Sequence, residues 1–174
     1  MNLLSLCSKE GEISMRKSFA KLLYNEMSTN QDIILITGDL GYGLWDDIRR
    51  DFANRFHNVG SAEQLMMGVA VGMAMEGKIP VVYSITSFLL YRPFELIRNY
   101  LDHENIPVKL VGGGRDRDYG YLGFSHWAED DKEIMGCFKN INTHHPADQT
   151  ELEQDFKNLI SSDEPHYINL KRKY

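Results

Sequence analysis

Residues 58–84 read NVGSAEQLMMGVAVGMAMEGKIPVVYS and combine a helix of small residues with a buried strand. Gly, Ala, Val and Met dominate the helical part, and KIPVVYS at residues 78–84 is an apolar run of strand length. One acid, Glu63, stands where the helix begins. A carboxylate in the first turn is stabilised by the helix dipole by about 0.3–1 kcal/mol, and Ser61 with Gln64 would complete a capping box. Capping is therefore the simplest explanation of Glu63 from this stretch alone.

The rest of the chain repeats the alternation of short apolar runs and helical patterns. Phe19, Leu22 and Met27, for example, recur at helical spacing. The sequence predicts strands at residues 32–37, 57–59, 78–84, 106–112, 141–143 and 166–170, and helices near residues 14–28, 45–56, 90–103, 129–138 and 148–161 in addition to the one that Glu63 begins. Such alternation is typical of a parallel sheet covered on both faces, so we expect a three-layer α/β fold.

Composition limits the class of protein. The 174 residues are 43% hydrophobic and 25% charged, which suits a single domain over residues 1–174 with residues 1–13 as an N-terminal extension. The formal net charge of −6 argues against a nucleic-acid partner. Cys7 and Cys137 lack metal-site spacing, and no apolar run reaches the length of a membrane span. We expect a cytoplasmic protein that binds neither nucleic acid nor membrane.

Ligands bind outside the carboxyl ends of the strands in an open parallel sheet, which identifies four loops as candidates. These loops are GDLGYG at residues 38–43, GSAEQ at 60–64, SITSFLLYR at 84–92 and GGGRDRDYGYLGFSH at 112–126. Together they carry one acid beside a helix of small residues, several aromatics, arginines and a histidine. This combination suits an aromatic heterocycle together with a polar or anionic substrate.

The order of motifs resembles one enzyme family. The segments TGDLG, RFHNVGSAEQ, GMAMEGKIPVVYS, FLLYRPFELIRN, GFSHWAEDD and HPADQTE follow one another along the chain. In this order they resemble the pyrimidine-binding domain of transketolase and related thiamin-diphosphate enzymes, over about residues 15–172. The AEQ element, followed by a small-residue helix and G-K-x-P, is the most specific part of the resemblance.

The resemblance implies a catalytic role for Glu63. In this family the acid of the AEQ element hydrogen-bonds a ring nitrogen of the cofactor's aminopyrimidine and so activates the thiazolium carbon. Such a bond needs a carboxyl group that can hold a proton near neutral pH, and burial favours the protonated form of a carboxyl group. We therefore expect Glu63 to be buried.

The resemblance implies further cofactor-binding residues. Phe88 matches a phenylalanine that stacks on the pyrimidine ring, although Phe88 and Tyr91 also fit ordinary core aromatics. Arg92 either lines the same pocket or pairs with a neighbouring acid. Asp39 and Leu40 match a loop near the thiazolium, and Asp39 fits a cap of the following turn equally well.

The resemblance also implies substrate-binding residues. His126 matches a histidine that faces the sugar hydroxyls in transketolases and would steady substrate oxygens. Arg16 and Arg172 match arginines that hold the substrate phosphate, although each alone fits an ordinary surface charge. The charged loop RDRDYGY is expected to bring Arg115 and Arg117 toward the mouth of the site.

Two departures from the family pattern favour a specialised sugar or an acceptor with a larger anionic group. Leu122 stands where typical transketolases have an Asp that reads hydroxyl stereochemistry, and Gly43 replaces a phosphate-binding serine. The pair His144 and His145 precedes a strand-end PAD segment, and we interpret both histidines as structural.

The family pattern requires a second domain that holds Mg and the diphosphate. GDLGYG lies before the AEQ element, which identifies it as part of the pyrimidine side, and we expect no metal site in this chain. We therefore expect one subunit of a split transketolase, paired in an α2β2 heterotetramer with a diphosphate-binding (PP-domain) subunit that binds Mg. The complex would move a two-carbon ketol unit from a ketose or ketose phosphate to an aldehyde.

Three alternatives remain open from the sequence. The chain could belong to a split thiamin-diphosphate-dependent decarboxylase of 2-oxo acids, although YRPFELIRN and GFSH favour a transketolase. It could be a non-catalytic assembly subunit, against which Glu63 and Phe88 argue. A nucleotide-binding α/β module is the third, but G-x-G-x-x-G is absent.

Overall fold

Six parallel strands form one sheet in the computed structural model, which describes residues 14–172. The strands are β1 (Ile33–Thr37), β2 (Phe56–Asn58), β3 (Ile79–Ile85), β4 (Lys109–Gly113), β5 (Asn142–His144) and β6 (His166–Leu170). Their order across the sheet is β2-β1-β3-β4-β6-β5. The predicted parallel sheet is confirmed, whereas the predicted N-terminal extension, residues 1–13, lies outside the described residues.

Helices cover both faces of this sheet. They are α1 (Met15–Thr29), α2 (Asp46–Asp51), α3 (Glu63–Met75), α4 (Thr86–Tyr91), α5 (Phe94–Leu96), α6 (Asp131–Met135) and α7 (Gln149–Ser161), and Ile97–His103 continues α5 as a π-helical segment. Ser14 and Asp148 cap the first turns of α1 and α7, because their side-chain oxygens accept backbone N–H groups there. Within residues 14–172 no helix is long and apolar enough to cross a membrane.

The two hydrophobic cores lie on opposite faces of the sheet. Ile33 and Leu35 of β1 pack with α1 and α7 on one face, whereas Ile34 and Ile36 pack with α3 on the other. Successive side chains of a strand point to opposite faces, so a strand that is apolar throughout serves both cores. This arrangement confirms the predicted three-layer α/β fold.

The predicted helix at residues 45–56 is wrong in its second half. α2 ends at Asp51, and a 3-10 turn, Ala53–Arg55, leads directly into β2. The buried Arg55 guanidinium donates to the carbonyl oxygens of Met27 and Asn30 at the end of α1. This tertiary contact fixes the segment between α2 and β2 to the end of α1. Helical periodicity in the sequence does not predict such a contact.

The predicted helix at residues 90–103 begins earlier than expected. α4 starts at Thr86, directly after β3, so Phe88 lies in a helix rather than in a loop. The Thr86 hydroxyl donates to the carbonyl oxygen of Gly114 and anchors this start. The continuous apolar run hides the change from strand to helix in the sequence, and Pro93 then interrupts the helix before α5.

The predicted capping box at the start of α3 does not form. Ala62, not Ser61, is the N-cap residue, and no side chain accepts a hydrogen bond there. Glu63 is the first residue of α3 and is buried, with 1% of its surface exposed. The helix terminus alone therefore does not account for this acid.

The strand order creates a crevice beside β1. The chain leaves β1 for β2 on one side, and α3 then carries it back across to β3 on the other side of β1. In open parallel sheets, ligands bind at such a reversal, outside the carboxyl ends of the strands. The start of α3 lies at this point, which brings Glu63 to the crevice.

A polar cluster fills the space between β5, β6 and α7. His144 places Nδ1 2.9 Å from the Asp155 carboxylate and Nε2 2.9 Å from Nδ1 of His166. His145 bonds to a second, buried carboxylate, so both histidines have the structural partners that the sequence predicts. Burial, together with the charges of Lys109 and His144, lowers the pKa of His166 to about 4.

We predict that the neutral His166 makes the fold acid-sensitive. The ordinary pKa of histidine is about 6.5, so the unfolded chain binds more protons than the folded one between about pH 4 and 6.5. The free energy of unfolding should therefore fall, by an amount on the order of 2–3 kcal/mol, as pH drops through this window. Urea unfolding of His166→Gln should show a shallower decline, whereas His103→Gln, at an exposed position, should follow the wild type. Parallel curves for wild type and His166→Gln would contradict this.

Candidate active site

The Glu63 carboxyl group is held by groups from three elements. Its Oε1 accepts a hydrogen bond of 2.9 Å from the hydroxyl of Ser84, near the end of β3, and its Oε2 lies 2.6 Å from Nη1 of Arg92. On the β1 side, a Cβ added to Gly38 would lie 3.2 Å from Oε1. The backbone after β1 therefore approaches the carboxyl group as closely as glycine allows.

Arg92 joins Glu63 to an aromatic ring. It follows the last residue of α4, and its guanidinium carbon lies 3.8 Å above the centre of the Phe88 ring. A guanidinium over an aromatic face is attracted by the electrons of the ring, and the same group forms the ion pair with Glu63. Arg92 thus pairs with a neighbouring acid, one of the two predicted possibilities, and that acid is Glu63 itself.

Phe88 also contacts His126, in the 3-10 turn Phe124–His126. The two rings meet edge to face with centres 4.9 Å apart. The Ser87 hydroxyl donates to the carbonyl oxygen of Ser125 at 2.8 Å, which ties α4 to this turn. The Ser125 hydroxyl in turn lies 3.0 Å from Nδ1 of His126. Two serines therefore fix the imidazole relative to Phe88.

Two arginines lie beyond His126, around Tyr119. The rings of His126 and Tyr119 are 6.0 Å apart, and the Arg172 guanidinium carbon lies 4.6 Å from the centre of the Tyr119 ring. Arg16 hydrogen-bonds Tyr83; burial alone would lower the pKa of Arg16, but Tyr83 and the other neighbours raise it above its ordinary value. Within the described residues the buried Nε of Arg16 has no hydrogen-bond partner. This end of the site therefore offers positive charge to an anion.

A continuous series of contacts runs between the two ends of the site, through Glu63, Arg92, Phe88, His126, Tyr119 and Arg172. A buried carboxyl group lies at one end, aromatic faces and an imidazole lie between, and cations lie at the other end. Chemically, this arrangement can hydrogen-bond and stack a heterocycle beside a substrate that carries a terminal anion.

The expectation that Arg115 lies at the mouth of the site is wrong. Arg115 is 8% exposed, and its guanidinium donates to the carbonyl oxygens of Pro146 and Asn169. The backbone turns directly after β4, where the N–H of Arg115 donates to the Asp118 carboxylate. The side chain therefore passes beneath the loop and braces it against β6.

Arg117 and Tyr91 lie together on an exposed rim. Arg117 pairs with Glu129 at 2.9 Å and lies over the Trp127 ring at 4.2 Å. The Tyr91 hydroxyl donates to Asp130, and burial together with this carboxylate raises the pKa of Tyr91 to about 12. Tyr91 and Trp127 line a cavity of 480 Å³. In this arrangement the contacts of Tyr91 are with the rim rather than with Glu63.

Asp39 and Leu40 lie on the loop after β1. Asp39 is exposed, with a positive φ of 60°. Its carboxylate accepts from the Tyr42 hydroxyl and the Asn58 amide, and these hydrogen bonds lower the pKa of Asp39. Leu40 is partly buried against the core. Asp39 therefore links the loop to the end of β2.

Sequence reasoning missed several residues of this site. Ser84, Ser87, Tyr83 and Tyr119 position the predicted groups. Ser84 had a usable signal, because a polar residue near the carboxyl end of an otherwise apolar strand is a candidate for facing the site. Tyr119 lies in the irregular loop after β4, where periodicity gives no direction for a side chain.

Comparison with known proteins finds one family. The family described as "Transketolase, pyrimidine binding domain" matches residues 11–174. A subunit of the apulose-4-phosphate transketolase of Actinobacillus succinogenes is 35% identical over 124 residues, which cover 71% of this chain and 40% of the relative. The 6-deoxy-6-sulfo-D-fructose transketolase subunit SqwH of Clostridium sp. strain MSTE9 is 28% identical over 160 residues, 91% of this chain and 50% of the relative. The chain thus spans half or less of these relatives.

A solved structure supports the same relationship. A protein described as a split gene transketolase, inactive beta4 tetramer, has a TM-score of 0.82 to this chain at 31% sequence identity. The similarity covers 94% of this chain and 53% of the solved one. The α/β fold and its strand order are therefore those of a known domain.

We predict that Ser87 sets the position of His126. Ser87→Ala removes the hydrogen bond between α4 and the turn Phe124–His126, at a cost of about 1 kcal/mol in the free energy of unfolding. Amide hydrogen exchange at residues 124–127 should accelerate. Ser28→Ala, which removes a similar hydroxyl-to-carbonyl bond on the exposed side of α1, should leave that exchange unchanged. Unaltered exchange in Ser87→Ala would show that the turn is held by other contacts.

Proposed function

We propose, since the chain belongs to the family of transketolase pyrimidine-binding domains, that it is the pyrimidine-side subunit of a split, thiamin-diphosphate-dependent transketolase. The observation that carries the proposal is the buried Glu63 carboxyl group, which lies where the strand order reverses between β1 and β3 and is linked to the Phe88 ring through Arg92. The catalysed reaction would be transfer of a two-carbon ketol unit from a ketose to an aldehyde.

The residues present fit the aminopyrimidine of thiamin diphosphate. A ring nitrogen of this heterocycle needs a carboxyl group as its partner, and the flat ring needs an aromatic face. Glu63 and Phe88 supply these two groups, and Arg92 contacts both of them. When bound, thiamin diphosphate supplies the carbon nucleophile that cleaves the bond next to a ketose carbonyl.

Glu63 would hold a proton at the ring nitrogen. Ser84 fixes Oε1 of this carboxyl group, and Oε2, which Arg92 bonds in this structure, would be the oxygen that faces the heterocycle. Leu40 and Asp39, on the loop after β1, would lie on the cofactor side of the site. Tyr91 would contact the cofactor from the exposed rim of the site.

His126 and the two arginines would bind the substrate. His126 is fixed by Ser125 and by Phe88, at the middle of the site, where it can donate to or accept from sugar hydroxyls. Arg16 and Arg172 would hold a terminal phosphate or a similar anion. With Leu122 and Gly43 in place of the usual polar residues, we propose a specialised sugar rather than a common pentose phosphate.

A second subunit would complete the site. Within residues 14–172 no group of three or more His, Cys, Asp or Glu side chains is placed to hold a metal ion. We propose that a diphosphate-binding subunit holds Mg and the diphosphate, in an α2β2 complex. The relatives named as transketolase subunits and the inactive beta4 tetramer support this requirement for a partner.

We predict that Glu63→Gln nearly abolishes turnover in the assembled complex. The amide is close in size but does not exchange a proton with the ring nitrogen, so kcat should fall by a factor on the order of 10²–10⁴. Circular dichroism should show an intact fold. Glu76→Gln, just beyond the other end of α3 and exposed, is the matched control and should keep wild-type rates. Wild-type turnover in Glu63→Gln would remove this residue from the mechanism.

We predict that thiamin diphosphate binds only when the partner is present. Calorimetry on the isolated chain should show weak or no binding. After co-purification with candidate subunits encoded nearby, one combination should bind thiamin diphosphate with Mg and transfer a ketol unit. Tight binding by the isolated chain would contradict the shared site. Binding with 2-oxo acid decarboxylation instead of ketol transfer would contradict the transketolase assignment.

A further inference from the structure

We propose that Arg92 occupies the place of the aminopyrimidine and must leave it before the heterocycle can bind. This inference rests on the proposed function for the identity of the ligand. It concerns a step that the family relationship does not describe, namely an exchange between a side chain of this protein and the cofactor ring.

Both groups that would receive the heterocycle already contact Arg92. Its Nη1 lies 2.6 Å from Oε2 of Glu63, and its guanidinium carbon lies 3.8 Å above the ring of Phe88. A guanidinium is flat and presents several N–H donors in one plane. The guanidinium of Arg92 therefore covers this face of the Phe88 ring and bonds the carboxylate oxygen of Glu63 at the same time. A pyrimidine ring cannot make both contacts while Arg92 keeps them.

Arg92 is the partner that can move. Glu63 is 1% exposed and is fixed by Ser84, whereas the Arg92 side chain is 44% exposed. Arg92 also stands at the end of α4, immediately before Pro93, where the helix is interrupted. Rotation of its side chain toward solvent requires no change in the buried core.

The exchange would remove the ionic partner of Glu63. Arg92 forms an ion pair with this carboxyl group, which the heterocycle would replace with a hydrogen bond. The groups that face Glu63 are Arg92 from α4, Ser84 from β3 and the backbone at Gly38 after β1, and Arg92 is the charged one among them. Glu63 therefore loses its charged partner when Arg92 leaves.

The test uses 4-amino-2-methylpyrimidine as a probe of the heterocycle site. Calorimetry should show weak binding to the wild-type chain and at least tenfold tighter binding to Arg92→Ala, because the competitor is gone. Arg92→Lys keeps the charge but not the flat stacking group, and should give a smaller gain. Arg98→Ala, at an exposed position that bonds only its neighbour Asn99 in the described hydrogen bonds, is the control and should match the wild type.

The outcomes separate the exchange from the proposed function. If Arg92→Ala binds the probe no more tightly than the wild type does, and the Glu63→Gln variant does not bind it, the exchange is wrong and the pyrimidine site stands. If neither the wild type nor Arg92→Ala binds the probe, the exchange is contradicted. If Glu63→Gln binds the probe as tightly as the wild type does, Glu63 is not the partner of the heterocycle and the proposed function itself is contradicted.

A second measurement covers the case in which Arg92→Ala does not fold. In the wild-type chain, the Nε–Hε NMR signal of Arg92 should move toward its solvent-exposed position on saturation with the probe, and that of Arg98 should not. An unmoved Arg92 signal with the probe bound would overturn the exchange.

Discussion

The burial of one carboxyl group constrains the whole carboxyl end of the sheet. Glu63 begins α3 at the crevice between β1 and β3, and water does not reach it. A buried carboxylate is costly unless hydrogen bonds and a cation compensate it. Ser84 and Arg92 supply these, and Gly38 supplies the space. Three otherwise separate segments, the ends of β1 and β3 and the end of α4, are thereby fixed around a single side chain.

The position of His126 in the candidate site depends on how α4 is tied to its neighbours. Thr86 bonds to the loop after β4, and Ser87 bonds to the turn that carries His126. Arg115 braces the same loop from beneath against β6. In each of these contacts a side chain of one segment bonds the backbone of another. The long loop after β4 is therefore held at several points. The imidazole and the aromatic ring of Phe88 consequently keep a defined separation.

The sequence predicts the fold and the identity of the central residues better than the directions in which their side chains point. The sequence pattern identified all six strands, and the AEQ element identified Glu63. Strands β1, β3, β4 and β6 are almost entirely buried, whereas β2 and β5 are short and more exposed. The apolar pattern placed the start of α4 too late, because strand and helix share one apolar run there. It also extended α2 through the buried Arg55. Arg115 shows the general limit. Composition predicts that a charged loop near a site faces the ligand, but unsatisfied carbonyl oxygens at the end of a neighbouring strand can attract a guanidinium inward.

The same physical cost explains why the central acid has an internal cation. In the proposed function Glu63 would meet the heterocycle away from water, and a carboxylate that is buried without a partner is costly. A guanidinium on a half-exposed helix end solves this, because it stabilises the carboxylate and can still withdraw into solvent. The stacking of that guanidinium on Phe88 protects the aromatic face in the same way. In the proposed complex, one movable side chain would thus serve both the stability of the separate subunit and the binding of the heterocycle, with no second arrangement of the core.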